Sequence, residues 1–133
     1  MYVKRLFFDE WKDLYNVEKC VECPTWEEVE KVINMLDGNN ITQLTMDNGN
    51  EDNYLCIGGG NNGLFNVFVS ENDNTDIFTL INTDFSPKVM HKLVTGGQEG
   101  DFEDKICVSI KAVKIVAKKY YELGQKDNSF IWE

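Results

Sequence analysis

Ile41-Thr42-Gln43-Leu44-Thr45-Met46-Asp47-Asn48-Gly49-Asn50-Glu51-Asp52-Asn53-Tyr54-Leu55-Cys56-Ile57-Gly58-Gly59-Gly60-Asn61-Asn62-Gly63-Leu64-Phe65-Asn66-Val67-Phe68-Val69-Ser70 is the stretch whose reading decides the fold. Residues 41–46 alternate Ile41, Gln43 and Thr45 with Thr42, Leu44 and Met46, the two-residue period of a strand. Asn48-Gly49 is the strongest short-range hairpin signal, because both residues tolerate the positive φ of a tight turn. Residues 54–57 read as the returning strand. The run 58–63 makes a second tight connection, and residues 64–70, rich in Phe and Val, form a third strand. Successive strands joined by tight turns cannot be parallel, so this stretch predicts an antiparallel meander.

Downstream, residues 71–75 read as a polar turn, 76–81 as a strand and 82–88 as a loop. Residues 89–95 read as a strand ended by Gly96-Gly97-Gln98-Glu99-Gly100-Asp101, and 104–108 as a brief strand. A last helix is predicted from Ser109, its N-cap, to Leu123, with Gly124 as its stop. The tail Phe130-Ile131-Trp132-Glu133 is expected to dock on the body. Upstream, Thr25-Trp26-Glu27-Glu28 is a capping box. Trp26, Val29, Ile33 and Leu36 follow at helical spacing, with Gly38 as the expected stop. Residues 2–8 read as a short strand, and 9–22 fit no single pattern. The whole predicts a single α+β domain over residues 1–133. It would be a mainly antiparallel sheet of about five to six strands, with two helices packed on one face and the other face open for binding.

Charge is distributed unevenly. The chain has 133 residues and a net charge of −10. Between Lys31 and Lys88 there is no Lys or Arg, while Asp37, Asp47, Glu51, Asp52, Glu71, Asp73, Asp76 and Asp84 fall there. The rest of the chain carries 15 acids against 13 bases. Such a field repels nucleic acid and anionic lipid and favours a basic partner; it also serves plain solubility. No apolar run approaches the length of a membrane span, and the N-terminal apolar stretch is short for a secretory leader, so a cytoplasmic location is expected.

No catalytic constellation emerges. His91 is the only histidine, on the polar side of a predicted strand. Cys20-Val21-Glu22-Cys23 has metal-ligand spacing but no second pair, and reduced cysteines are the expected state. The run Gly58–Gly63 lacks the Lys-Ser/Thr of a phosphate loop and lies between strands rather than before a helix. Asp47-Asn48-Gly49-Asn50-Glu51-Asp52 misses the calcium-loop register. No cofactor and no metal site are expected, and the chain is not expected to be an enzyme.

Taken together, the motifs are more specific than their separate physics. Pro24-x-Trp26 opens a helix. Leu55-Cys56-Ile57-Gly58-Gly59-Gly60-Asn61-Asn62-Gly63-Leu64-Phe65-Asn66-Val67 follows, then Leu93-Val94-Thr95-Gly96-Gly97-Gln98-Glu99-Gly100-Asp101-Phe102, a closing helix with Ala117-x-x-Tyr120-Tyr121-x-x-Gly124, and Trp132. This order resembles the Imm-one-type immunity proteins of bacterial polymorphic toxin systems, over about residues 24–132. The resemblance implies an antitoxin that binds and neutralises a cognate toxin, often a nucleic-acid deaminase or nuclease, encoded by an adjacent gene. Its characteristic residues here are Trp26, Gly59, Gly60, Gly63, Gly96, Gly97, Gly100, Gly124 and Trp132, read as fold determinants. The acids expected to meet a basic toxin are Asp47, Glu51, Asp52, Asp73 and Asp76, with Glu99 and Asp101 in the second glycine loop. No nucleic acid or membrane is expected as a partner, and oligomeric state is open. The alternative is a small ligand-binding or scaffolding α+β domain with no toxin partner.

Overall fold

A computed structural model describes residues 1–133. In chain order its elements are β1 (Arg5–Phe8), β2 (Trp11–Lys12), β3 (Tyr15–Asn16), β4 (Lys19–Glu22), α1 (Trp26–Met35), β5 (Gln43–Asp47), β6 (Tyr54–Gly59), β7 (Leu64–Glu71), β8 (Asp76–Thr79), β9 (Met90–Thr95), β10 (Gln98–Glu103), β11 (Val108–Ser109) and α2 (Ile110–Leu123). The meander forms where the alternation and turn residues place it. Thr45 pairs with Cys56 across β5–β6, and Cys56 with Phe68 across β6–β7, both antiparallel. The main sheet has seven strands in the order β11-β7-β6-β5-β1-β4, with β8 also paired to β7. The fold is therefore α+β with a mainly antiparallel sheet, as the patterning predicts.

The two-residue period sorts side chains onto two faces. Leu6, Leu44, Met46, Leu55, Ile57, Val67 and Val69 turn to one side and are buried. Val29 and Ile33 of α1 and Val113, Val116, Ala117 and Tyr120 of α2 join them in one core cluster. Each large aliphatic side chain so buried contributes about 1.5–3 kcal/mol.

Both helix starts match their sequence signals. The Thr25 hydroxyl accepts from Glu28 N at 3.1 Å, and Thr25 N donates to Glu28 Oε1 at 3.0 Å. Ser109 Oγ accepts from Ala112 N at 3.3 Å, and Gly124 ends α2 with its N–H on Tyr120 O. Pro24-x-Trp26 meets the Tyr120-Tyr121 pair. The Tyr121 hydroxyl donates to Pro24 O at 2.7 Å, and its ring lies 5.8 Å from that of Trp26.

Four local expectations are corrected. Gly38 does not stop α1: Leu36 is already extended, and Asp37 Oδ1 accepts from the N–H groups of residues 39, 40 and 41, folding the next turn itself. β9 ends at Thr95 as expected, but the run after it is not all terminator: Gly96-Gly97 is a two-residue turn, and Gln98–Glu103 returns as β10 in a separate two-stranded sheet. Residues 104–106 form a 3-10 turn rather than a strand, leaving β11 only two residues long. β8 stops at Thr79 rather than residue 81, although Leu80 N still donates to Val67 O of β7; the docked tail adds its own pairing, with Thr79 and Glu133 exchanging backbone hydrogen bonds and Leu80 bridging Trp132. The unassigned stretch 9–22 becomes the β2–β3 hairpin and the edge strand β4. No helix is long and apolar enough to cross a membrane.

Candidate functional site

The face of the sheet opposite the core carries Arg5 and Phe7 from β1, Gln43 and Thr45 from β5, Tyr54 and Cys56 from β6, and Phe68 from β7. Each is the period-two neighbour of a core residue. Phe7, Tyr54 and Phe68 are half-buried, and the Tyr54 and Phe68 rings meet edge-on at 6.0 Å. They floor a concavity of about 310 Å³ whose lining includes Glu18, Asp47 and Glu51. A second hollow shares Phe7, Glu18, Gln43 and Thr45 and extends the first towards Asn16 and Gly96. The two make one groove across the open face.

Arg5 is the one base on this face, and it is engaged. Its Nε and Nη2 reach Asp47 Oδ1 and Oδ2 at 2.8 and 3.0 Å, and the guanidinium lies 5.2 Å from the Phe7 ring centre. The hydrogen bond to Asp47 raises the Arg5 pKa further above its ordinary value. Asp47 is therefore unlike the other acids named from the sequence. It is 4% exposed and also accepts from Gly49 N, so its carboxylate is committed to the fold.

Glu51, Asp52, Asp73 and Asp76 are brought together. The β5–β6 and β7–β8 turns are strapped side by side: Asn50 and Asn53 donate side-chain N–H bonds to Asp73 Oδ1, Asp73 N donates to Asn53 Oδ1, and Ser70 Oγ donates to Asp52 O. Glu51, Asp52 and Asp73 are exposed and Asp76 is half-buried, bonded by the Asn72 amide. Glu99 and Asp101 are not part of this cluster. They lie on β10, and Asp101 pairs with Lys92 at 2.9 Å.

At the other end of β6 the two glycine motifs interlock. Thr95 stands against Gly58 and Leu93 against Gly59, while Asn61 Oδ1 accepts from Val94 N at 2.9 Å. Gly60 has φ +101 and a Cβ there would strike the Leu36 carbonyl, so only glycine lets this turn approach the end of α1. Gly97 has φ +76 and lies under the Trp11 indole. Gly63 closes the 3-10 turn at 61–63, Gly96 faces the Gln43 amide, and Gly100 pairs with Leu93. Beneath them Asp9, 6% exposed, accepts from Thr42 N at 2.7 Å, Gln43 N at 3.0 Å and Trp11 Nε1 at 2.7 Å, and from the Thr42 hydroxyl.

The groove offers carboxylates, a phenol, a side-chain amide and aromatic area. Burial pushes the Cys56 thiol up to about 12, which disfavours its thiolate form at neutral pH. His91 Nε2 sits 2.7 Å from Asp104 Oδ1, away from the groove lining. A hydrogen bond from Ser86 N, then one with His91, holds Asp104 below the usual carboxylate range. Cys20 and Cys23 are exposed free thiols. No group of three or more His, Cys, Asp or Glu is placed to hold a metal ion.

Sequence reasoning named acids and glycines but missed Phe7, Tyr54, Phe68, Glu18 and Asp9. The aromatics were legible in principle, since each alternates with a core residue along its strand. No local signal marks Asp9: of its donors only Trp11 is near in sequence, and Thr42 and Gln43 lie more than thirty residues away.

No curated protein matches the chain. The family model described as Immunity protein Imm1 matches residues 18–133, a span that takes in both helices, both glycine motifs, the acid turns and Trp132. The chain belongs to the Imm1 family of immunity proteins.

Proposed function

We propose that this chain, acting as one domain over residues 1–133 in the cytoplasm, binds and neutralises a cognate toxin by stoichiometric inhibition. The toxin is a basic domain encoded by an adjacent gene, a nucleic-acid deaminase or nuclease, and the open face of the sheet receives it. Family membership supports the immunity role. The observation that carries the mode of binding is the groove with an aromatic floor and the acids Glu18 and Glu51 on its rim, where the one base is held by Asp47.

Enzymes that act on nucleic acid present basic clefts to phosphate. Glu51, Asp52, Asp73 and Asp76, clustered on two strapped turns, set the negative potential that attracts such a cleft, with Glu99 and Asp101 adding to it from β10. Long-range attraction speeds encounter, and Phe7, Tyr54 and Phe68 supply the desolvated contact that slows dissociation. Binding, rather than catalysis, is what this groove is equipped for.

The test is to express the C-terminal domain of the protein encoded immediately upstream, with and without this chain, and to measure survival together with the dissociation constant of the purified pair. Rescue with nanomolar or tighter binding is expected. Toxicity that the chain neither relieves nor binds would overturn this pairing.

A further inference from the structure

We infer that the β2–β3 hairpin is the specificity prong of this chain, with Tyr15 and Leu14 entering an apolar socket beside the basic surface of the toxin. The inference rests on the toxin-binding reading above and names the part of the molecule that selects the partner.

Leu14 is 92% and Tyr15 78% exposed, the two most exposed large apolar residues of the chain. Single exposed apolar residues are ordinary; two adjacent ones at the tip of an ordered hairpin are not. The turn consists of Asp13, with φ 57, and Leu14, and Lys12 pairs with Tyr15 beneath it. An isolated two-stranded hairpin is marginal in water. This one is fastened at its base. Trp11 N donates to Asn40 O at 2.7 Å, Asn40 Nδ2 donates to Trp11 O at 3.1 Å, and Glu10 and Val17 exchange backbone hydrogen bonds. The Trp11 indole is held by Asp9 and covers Gly97. A fixed base under an apolar tip lowers the ordering cost of binding, and tyrosine brings a large contact area with few rotamers.

Charge and continuity point to the occupant. The accessible acids of residues 10–18 are Glu10, Asp13 and Glu18, against one base, Lys12, which lies 3.9 Å from Glu10. An apolar tip with Asp13 in its turn and Glu18 beyond its returning strand fits a basic partner and repels a second copy of a chain whose net charge is −10. The returning arm of the hairpin also walls the groove, through Asn16 and Glu18. A toxin seated in the groove therefore meets the tip at its edge.

The test uses the full chain and the purified C-terminal domain encoded upstream. The double variant L14A/Y15A is compared with the unaltered chain, and Y15T is added as a variant that keeps strand propensity. Both substitutions lie at exposed positions, so unchanged melting temperatures are expected. The expected result is a dissociation constant weakened by roughly 30-fold or more for L14A/Y15A, carried mainly by faster dissociation, with Y15T intermediate. Tight binding that is the same for the unaltered chain and both variants would overturn the prong and leave the toxin-binding reading intact. No binding by the unaltered chain would overturn that reading and the prong with it. A dimer of the unaltered chain alone that L14A/Y15A dissociates would assign the tip to self-association and overturn the inference.

Discussion

The two ends of the central strands β5 and β6 are built from the same turn-forming residues, Gly, Asn and Asp, and come out opposite in character. At one end Gly58–Gly60 and Gly96–Gly97 interlock, and the carboxylate present, Asp9, is buried under four donors. At the other end Asn and Asp residues strap two turns together while Glu51, Asp52 and Asp73 stay exposed. The first end uses polar groups to fix backbone and the second leaves charge available to a partner. Composition alone does not separate these uses; what separates them is whether the carboxylate is buried among its donors, as Asp9 is, or stays exposed, as Glu51, Asp52 and the amide-bonded Asp73 do.

The largest effect that would test this contrast is Asp9→Ala. Removing a buried acceptor of four hydrogen bonds is expected to cost about 3 kcal/mol or more of stability, read from the urea midpoint. A cost near zero would break the claim that this end is sealed by Asp9. Gly97→Ala comes next, at about 2 kcal/mol, because it combines a strained positive φ with displacement of the Trp11 indole. Its signature is loss of order in the β2–β3 hairpin, measurable by hydrogen exchange at residues 10–17.

Glu51→Lys with Asp52→Lys tests the exposed end. Stability should stay within about 0.5 kcal/mol, while association with the toxin domain slows roughly tenfold at low salt and becomes less salt-dependent. An unchanged on-rate would remove these acids from steering. The smallest effect concerns pH. Asp104 is held below its ordinary value of 3.8 by Ser86 N and then His91, so its contribution is present above that pH and fades as pH falls through its lowered folded value. Asp104→Asn should therefore give a shallower loss of stability on acidification below about pH 4, measured by thermal melts across pH.

Much of the architecture was legible because its determinants are local. The alternation within residues 41–46, the Thr25 capping box and the Ser109 N-cap each act within a few residues and appear in the structure, whereas Asn48-Gly49 only begins a six-residue connection, 48–53, rather than closing a tight turn. The errors have two sources. Gly38 loses to local hydrogen bonds on Asp37, and Gln98–Asp101 reads as loop though it pairs straight back on β9; residues 9–22, by contrast, read as nothing until the base of their hairpin is tied to Asn40, a distant partner. The acid cluster was half legible. The base-free stretch pointed to Glu51, Asp52, Asp73 and Asp76, but Asp47 lies in the same stretch and Arg5, more than forty residues away, takes its carboxylate.

By itself, then, the sequence determined the class of fold, the helix starts, the meander and the sign of the field, since these follow from periodicity, capping and charge along the chain. Tertiary structure alone decided which carboxylates are free, that three half-buried aromatics share a groove, and that Leu14 and Tyr15 stand exposed on an anchored hairpin. Those outcomes depend on which side chains meet across strands distant in sequence, and a local pattern carries no record of its distant partners.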